Sequence, residues 1–236
     1  MVNQGLEKED KVVSLALFGL GRAGTIHLYN IMGQGNIQLK YVLESDEARF
    51  LAVKKALNLG AVTYVHPDNV DTLLQDQELD AVIVATPTGS HEELITKSLE
   101  AGKAVFSEKP ISEDHEAVKR CYQLATKVER PLFCAFNRRF DPAFGSVRQR
   151  VQDGELGQVQ QIKLTSRDSP LPSVAYLKIS GGIFHDCMVH DIDLMTHTLG
   201  ELPIEVFTAA NAFIPEIGEM KDYDNVVSTF KFASGA

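Results

Sequence analysis

The chain has 236 residues, 44% of them hydrophobic and 23% charged, which is enough for one large globular domain or two modest ones. Its 32 acidic residues outnumber the 23 basic ones, and the net charge of −9 argues against nucleic acid or an anionic membrane surface as a partner. No apolar run approaches the roughly 18 residues that a membrane helix needs. Residues 1–11 have no apolar signal core, and we expect them to be frayed.

The first predicted element is an apolar strand over residues 12–18, which runs directly into a G-x-G-x-x-G pattern and a helix over residues 23–32. A strand that is apolar on both faces is typical of a covered parallel sheet. The first glycine permits a tight turn, the second lets the backbone approach a pyrophosphate, and the third lets helix and strand pack closely. Because the start of the helix offers free N–H groups, we predict a dinucleotide-binding loop. The predicted cofactor-binding residues of this loop are Gly19, Gly21, Arg22, Ala23 and Gly24.

Glu44 follows the second predicted strand, residues 37–43. An acidic side chain about 20 residues beyond the glycine pattern binds the ribose hydroxyls of a dinucleotide. Because a carboxylate repels a 2′-phosphate, Glu44 favours NAD over NADP. Arg49 is close in sequence and keeps NADP open, and a surface glutamate at a strand end is the structural alternative.

Helices and strands continue to alternate as far as residue 136. Helices are predicted at 46–58, 69–75, 92–101 and 114–128, and strands at 62–65, 81–85, 104–106 and 131–136. Six strands with five crossovers form a complete doubly wound parallel sheet, whose ligands lie beyond the carboxyl ends of the strands. Thr86-Pro87, Lys109-Pro110 and Asn137-Arg138-Arg139 stand at such ends. Residues 1–136 are therefore predicted to form an NAD-binding Rossmann domain.

After Arg139 the pattern changes. Residues 142–152 are predicted to be helical, and residues 158–166 alternate between apolar and polar side chains, as in a sheet with one covered face. Further strands are predicted at 204–213 and 226–232. Residues 137–236 therefore predict a substrate-binding and catalytic α+β domain with an open, mostly antiparallel sheet.

The segment 181–195 opens with Gly181-Gly182, and the pattern after these glycines predicts a helix, with Asp186 and His190 one turn apart on the same face. Burying either group is costly unless it is paired, so the pattern predicts an Asp–His dyad in which the carboxylate orients an imidazole that moves a proton. The alternative is a structural hydrogen bond on a half-exposed helix. A metal site is disfavoured, because His185 points to a different face from His190.

The three cysteines, Cys121, Cys134 and Cys187, are widely spaced. An odd count of this kind predicts free thiols in a reducing compartment, and hence a cytoplasmic location. Cys187 adjoins the predicted dyad, so both a reactive thiol and a buried thiol on an apolar helix face are open interpretations.

In order and spacing, these segments resemble the glucose-fructose oxidoreductase / inositol dehydrogenase family, over about residues 12–236. The resemblance is carried by Gly19-Leu20-Gly21-Arg22-Ala23-Gly24, Ala85-Thr86-Pro87, Glu108-Lys109-Pro110, Asn137-Arg138-Arg139-Phe140-Asp141, Gly181-Gly182-Ile183-Phe184, Asp186 and His190-Asp191. The segments most similar to its inositol 2-dehydrogenase branch are Thr165-Ser166-Arg167-Asp168, Tyr176-Leu177-Lys178 and Ser180-Gly181-Gly182.

The resemblance implies an NAD-dependent oxidoreductase that moves a hydride from a polyol or cyclitol alcohol to nicotinamide. It implies that His190 is the base, that Asp186 orients it, and that Lys109 holds the reacting oxygen. It also implies a cis Lys109–Pro110 bond and a homo-oligomer formed through the second sheet. The further cofactor contacts that it implies are Thr86, Pro87, His91, Glu108, Lys109 and Arg138.

His185 and Cys187 stand where the family pattern has arginine or leucine and methionine, so cyclitols, aldoses and dihydrodiols all stay open as substrates. Family members usually continue past the position of Ala236, so we expect the later strands of the second sheet to be absent here. From this we expect a chain that binds NAD, turns polyols over poorly or not at all, and self-associates or aggregates through an exposed sheet. The alternative function is a nicotinamide-nucleotide-binding protein without turnover.

Overall fold

The computed structural model describes residues 12–236, and the expectations for residues 1–11 lie outside them. By its internal contacts the chain divides into two compact units, Met1–Ala135 and Phe136–Ala236. Each unit has its own secondary structure and is described by itself.

The first unit is built on a six-stranded parallel sheet. Its strands are β1 (Val13–Phe18), β2 (Ile37–Leu43), β3 (Thr63–Val65), β4 (Ala81–Val84), β5 (Ala104–Ser107) and β6 (Leu132–Cys134). They lie in the order β3-β2-β1-β4-β5-β6, and every neighbouring pair is parallel. The predicted doubly wound sheet is confirmed. The strand order reverses between β1 and β4, and ligands of such sheets bind at the carboxyl ends of the strands on either side of that reversal.

Helices cover both faces of this sheet. They are α1 (Arg22–Met32), α2 (Glu47–Leu57), α3 (Val70–Leu74), α4 (His91–Glu100) and α5 (His115–Lys127). Along β1, Leu15 and Leu17 belong to the apolar cluster shared with α1 and α2, whereas Ala16 and Phe18 belong to the cluster shared with α3, α4 and α5. Burial on both faces explains why β1 is an uninterrupted apolar run in the sequence.

The second unit is mixed α and β. Its elements are α6 (Pro142–Gln152), α7 (Val174–Leu177), a π-helical turn (Phe184–Met188), α8 (Val189–Leu199), β7 (Pro203–Asn211), α9 (Pro215–Glu219) and β8 (Asn225–Phe232). The strands β7 and β8 form an antiparallel pair, as predicted for this domain. The Ser228 hydroxyl of β8 approaches the Met188 sulfur at 3.7 Å, so this face of the pair lies against the π-helical turn.

The strand predicted over residues 158–166 was wrong. Its alternation persists, because Ile162 and Leu164 are half-buried while Gln161 and Lys163 are exposed. Within residues 12–236, however, no strand pairs with this segment, and an extended segment without a hydrogen-bonded neighbour is not part of a sheet.

Among residues 12–236, no helix is both long enough and apolar enough to cross a bilayer.

Candidate active site

Two glycines of the loop after β1 are required by packing. Gly19 has φ +93°, and a Cβ on it would lie 2.7 Å from the Ala85 carbonyl oxygen at the end of β4. A Cβ on Gly24 would lie 2.0 Å from the Gly19 carbonyl oxygen. Neither position tolerates a side chain without a backbone shift. These contacts are the physical reason for the first and third glycines of the pattern.

Gly21 is different, because a Cβ on it would meet nothing within 4 Å. It is the N-cap of α1, it makes no side-chain cap, and the first turn of α1 holds no acidic residue. The first N–H groups of a helix have no partner within the helix and attract anions. The open space and the uncapped helix start therefore fit a pyrophosphate held over Gly21, Arg22 and Ala23.

Glu44 follows β2 directly and is only 6% exposed, which excludes the surface-glutamate interpretation. Its carboxylate accepts hydrogen bonds from the backbone N–H of Leu20 at 2.7 Å and of Asp46 at 3.1 Å, and from the Ser45 hydroxyl at 3.1 Å. Burial pushes the pKa of Glu44 upward, but these hydrogen bonds outweigh it and hold the pKa below its usual value. Glu44 is therefore a charged group that holds the glycine loop.

The turn after β5 carries Glu108, Lys109 and Pro110, and the Lys109–Pro110 bond is cis, as predicted. The Glu108 carboxylate lies 2.7 Å from Nε2 of His27 on α1, and it accepts the Lys109 backbone N–H at 3.2 Å. Burial raises the pKa of Glu108, but the hydrogen bond and charge of His27 outweigh it and bring the pKa below its usual value. Glu108 thus supports the turn, and the cofactor contact that the resemblance implies for it stays a prediction.

His91 is almost fully buried, at 1% exposed, and the cofactor contact that the resemblance implies for it stays a prediction. Its Nδ1 lies 2.7 Å from the Pro110 carbonyl oxygen and its Nε2 lies 2.8 Å from the Thr86 carbonyl oxygen. Both ring nitrogens are thus engaged inside the unit, and His91 connects the turn after β4 to the turn after β5. Thr86 and Pro87 themselves stand beyond β4, where the sequence analysis placed them, and Pro87 is exposed.

In the second unit, the segment after Gly181 is helical, as predicted, but residues Phe184–Met188 form a π-helical turn before α8, which the sequence did not indicate. Gly182 has φ +80°. A Cβ on Gly182 would lie 2.8 Å from the Asp222 carboxylate, so the absence of a side chain leaves room for that group. Asp222 accepts the Ile183 backbone N–H at 3.2 Å and so holds the start of this segment. Short π-helical turns occur frequently at functional sites.

Asp186 lies within the π-helical turn and His190 lies in the first turn of α8, and both are half-buried. The Tyr176 hydroxyl donates to the Asp186 carboxylate at 2.8 Å, a contact that the sequence analysis did not anticipate. The His190 ring meets the Phe136 ring edge-on, with centroids 6.4 Å apart. His185 is exposed. Pairing of Asp186 with His190 stays a prediction.

Two arginines hold α8 within the second unit. Arg138 forms an ion pair with Asp191, which also accepts the Ser166 hydroxyl at 2.7 Å. Arg139 donates from Nε to Asp193 at 2.9 Å, and Asp193 is buried. The cofactor role implied for Arg138 stays a prediction, since its guanidinium contacts Asp191 here. No local signal predicts these pairs, because the partners stand 53 and 54 residues apart.

The second unit also contains a cavity of about 1440 Å³ that is open to solvent. Residues 160–168, the π-helical turn and β8 border it. This volume exceeds the roughly 300–1,000 Å³ of small-molecule pockets, so the cavity alone does not define a ligand site. Cys187 borders it, and its Sγ lies 3.6 Å from the Asp168 carboxylate. Within residues 12–236, no group of three side chains is arranged to hold a metal ion.

A doubly wound sheet with a glycine loop before α1 and a buried acidic residue after β2 defines a dinucleotide-binding protein of the Rossmann type. Residues 13–136 match the family model described as an oxidoreductase family with an NAD-binding Rossmann fold, and residues 144–236 match the GFO/IDH/MocA C-terminal domain. The chain belongs to the GFO/IDH/MocA oxidoreductase family.

Similar proteins include inositol dehydrogenases. An inositol 2-dehydrogenase of Rhizobium meliloti is 38% identical over 224 residues, with 94% of this chain and 66% of that protein covered. A scyllo-inositol 2-dehydrogenase (NAD(+)) of Bacillus subtilis is 33% identical, with 95% of this chain and 65% of that protein covered. The chain thus spans just under two thirds of the length of these curated relatives.

A similar solved structure carries ligands. The crystal structure of scyllo-inositol dehydrogenase from Lactobacillus casei with bound NAD(H) and scyllo-inositol has a TM-score of 0.85 and 29% identity, and the match covers 95% of this chain and 67% of that chain. A probable dehydrogenase of Thermotoga maritima has a TM-score of 0.89 and 35% identity, with 95% of this chain and 66% of that chain covered.

Proposed function

We propose that this protein is an NAD-dependent dehydrogenase that oxidises one secondary alcohol of a cyclitol such as myo- or scyllo-inositol. The observation that carries the proposal is the glycine loop, with its open position at Gly21 and the charged, buried Glu44 beside it. The inositol dehydrogenases among the similar proteins support the choice of a cyclitol.

We propose that the cofactor is held at the carboxyl ends of the first unit's strands. Gly19 and Gly24 shape the loop, and Gly21, Arg22 and Ala23 present the helix start to the pyrophosphate. Glu44 accepts the ribose hydroxyls and disfavours a 2′-phosphate, so NAD is preferred to NADP. Thr86 and Pro87, with Glu108 and Lys109, border the cofactor from the ends of β4 and β5, and His91 contributes indirectly.

We propose that three side chains carry the chemistry. Lys109 donates a hydrogen bond to the reacting oxygen and stabilises its developing negative charge. His190 takes the hydroxyl proton, a role that suits imidazole because its ordinary pKa of about 6.5 lies near neutrality. Asp186, fixed by Tyr176, orients the imidazole. When bound, NAD supplies the hydride acceptor.

The proposal also covers the cellular location and the oligomeric state of the protein. Within residues 12–236 the three cysteines form no disulfide, and we propose a cytoplasmic location. The outward face of the β7–β8 pair exposes Phe207 (72%) and Val227 (66%), and we propose that a second copy of the chain covers it. Light scattering during size-exclusion chromatography measures the oligomeric state, and a concentration-independent monomer would contradict this part.

The function is tested by titrating the chain with NAD and NADP and then following reduced nicotinamide with a panel of alcohols. The panel contains myo-inositol, scyllo-inositol, aldoses and dihydrodiols. Two forms of the protein are assayed, residues 1–236 and the complete product of the gene. We expect NAD binding, and turnover with cyclitols in at least one of the two forms. Turnover with an aldose or dihydrodiol alone would replace the proposed substrate. Binding with no turnover in either form would favour a nucleotide-binding protein without enzymatic activity.

A further inference from the structure

Two histidines that belong to different helices reach the turn that carries Lys109. His91, the first residue of α4, bridges the Thr86 carbonyl after β4 and the Pro110 carbonyl after β5, at 2.8 and 2.7 Å. His27, on α1, lies 2.7 Å from the Glu108 carboxylate. These contacts flank Lys109 on both sides in the sequence.

The His91 bridge begins where the sheet ends. The last backbone hydrogen bond between these two chain segments runs from the Glu108 N–H to the Val84 carbonyl, at 2.8 Å. Beyond it, the His91 ring continues the connection between the two segments. A carbonyl oxygen only accepts hydrogen bonds, so a neutral imidazole, which carries one N–H, donates to one of the two carbonyls, whereas a doubly protonated ring donates to both. A side chain without an N–H removes this connection between the two segments.

The His27 contact reaches the same turn from the other side. One carboxylate oxygen of Glu108 contacts His27 and the other accepts the Lys109 backbone N–H at 3.2 Å. The His27 ring also packs edge-on against Phe106 of β5, with centroids 5.2 Å apart. The helix that begins at the glycine loop is thereby connected to the backbone of Lys109.

We propose that His27 and His91 are positioning residues that fix the Glu108–Pro110 turn and thereby direct the Lys109 side chain. The functional part of this inference rests on the proposed dehydrogenase activity, in which Lys109 contacts the reacting oxygen. A catalytic group displaced by about 1 Å costs up to roughly 100-fold in rate. The histidines therefore act on turnover without touching the substrate.

Two pairs of variants separate hydrogen bonding from packing. His91→Phe and His27→Phe keep a planar ring and remove the donor, whereas His91→Gln and His27→Gln keep an N–H donor. Ser98→Ala is the matched control, because Ser98 is also fully buried on α4 and donates to the Leu94 carbonyl at 2.6 Å, outside the turn. It removes a buried hydrogen bond from the same helix and leaves the turn intact.

The first readout is steady-state turnover with NAD and inositol. Each Phe variant should lower kcat by about 10- to 100-fold, with the KM for NAD within about threefold of the unmodified value. The Gln variants should recover much of that loss, and Ser98→Ala should stay near the unmodified kcat. A loss of kcat in Ser98→Ala as large as in the Phe variants would show that α4 stability, and not the turn, sets the rate.

The second readout does not depend on activity. Hydrogen exchange of the backbone N–H groups within residues 107–111 should become about tenfold faster in the Phe variants and remain unchanged in Ser98→Ala. Unchanged exchange in the Phe variants would overturn the proposal. If His91→Phe does not fold, the His27 variants decide, because that side chain is partly exposed. If the unmodified protein binds NAD without turnover, the proposed function fails and hydrogen exchange alone decides whether the histidines hold the turn.

Discussion

At the scale of single residues, Glu44 combines a ligand role with a structural one. Its spacing from Gly24 predicts the ribose contact, and its burial and lowered pKa agree with a charged group at that place. Its hydrogen bond to the Leu20 N–H was not predictable, because no local pattern tells which backbone group a buried carboxylate reaches. The carboxylate therefore holds the loop to which the cofactor binds.

Replacing Glu44 by Ser should weaken NAD binding by roughly tenfold or more and raise the affinity for NADP relative to NAD. The ribose acceptor is lost, the repulsion of a 2′-phosphate disappears, and the Leu20 N–H loses its partner, with each lost hydrogen bond contributing about 1–3 kcal/mol. Calorimetric titration with both nucleotides measures this, with Ser45→Ala as the control that keeps the carboxylate. Tighter binding of NADP than of NAD by the unmodified protein would refute the assignment.

His190→Ala should lower turnover by about two to four orders of magnitude, because the proton acceptor is removed, while NAD binding stays nearly unchanged. Asp186→Asn should also lower turnover, through lost orientation of the imidazole. His185→Ala is the control, since His185 is exposed and lies in the same segment. Steady-state kinetics beside an NAD titration gives both quantities. Near-native turnover of His190→Ala would exclude His190 as the base.

At the scale of elements, the glycine loop contains positions that serve the fold and a position that serves the ligand. A Cβ on Gly24 would lie 2.0 Å from a carbonyl oxygen, whereas a Cβ on Gly21 would occupy open space at the start of α1. The motif assigns the second glycine to the pyrophosphate and the other two to the fold. The surroundings of each Cα in the structure agree with that division.

Gly24→Ala should therefore destabilise the protein by about 3 kcal/mol or more, since the backbone of the loop must shift to admit the methyl group. Gly21→Ala should leave the unfolding free energy nearly unchanged and weaken NAD binding, because the methyl group stands where the pyrophosphate approaches. Chemical denaturation and NAD titration of both variants measure these effects. Equal destabilisation by the two substitutions would contradict the division of roles.

A polar cluster beside β2 gives a pH prediction. The Asp76 carboxylate lies 2.6 Å from the Lys40 ammonium and accepts the Tyr41 hydroxyl at 2.8 Å. The hydrogen bond from Lys40, opposed by burial, lowers the pKa of Asp76 from 3.8 to about 2. The cluster ties β2 to the segment that precedes β4.

Because the folded pKa of Asp76 is the lower one, its stabilising contribution is complete above about pH 4 and is lost as the pH falls toward 2. We expect Asp76→Asn to reduce stability at neutral pH by roughly 1–2 kcal/mol after allowance for solvent screening. The difference from the unmodified protein should shrink as the pH falls from 4 to 2. Urea denaturation at several pH values measures it, and a difference that is constant over this range would show that Asp76 does not titrate as described.

At the scale of the whole molecule, the first unit was largely predictable from the sequence, whereas the second was predictable only for α6, α8, β7 and β8. Each strand of the first unit is a local apolar run followed by a helix, so length and periodicity suffice. In the second unit, residues 158–166 show strand periodicity without a partner, and the π-helical turn at Phe184–Met188 interrupts a helical pattern. The structural roles of His91 and of the Arg138 and Arg139 ion pairs depend on contacts that are distant in sequence.

The central claim is that a hydride moves from an alcohol carbon of a cyclitol to nicotinamide. It is tested most directly with inositol deuterated at its carbinol carbons, incubated with the protein and NAD in ordinary water. Nuclear magnetic resonance of the recovered reduced cofactor then shows which hydrogen isotope stands at C4 of the nicotinamide ring. We predict deuterium at C4, together with a slower rate than with unlabelled inositol. Reduced nicotinamide that carries only solvent hydrogen at C4, or no reduced nicotinamide at all, would contradict the account.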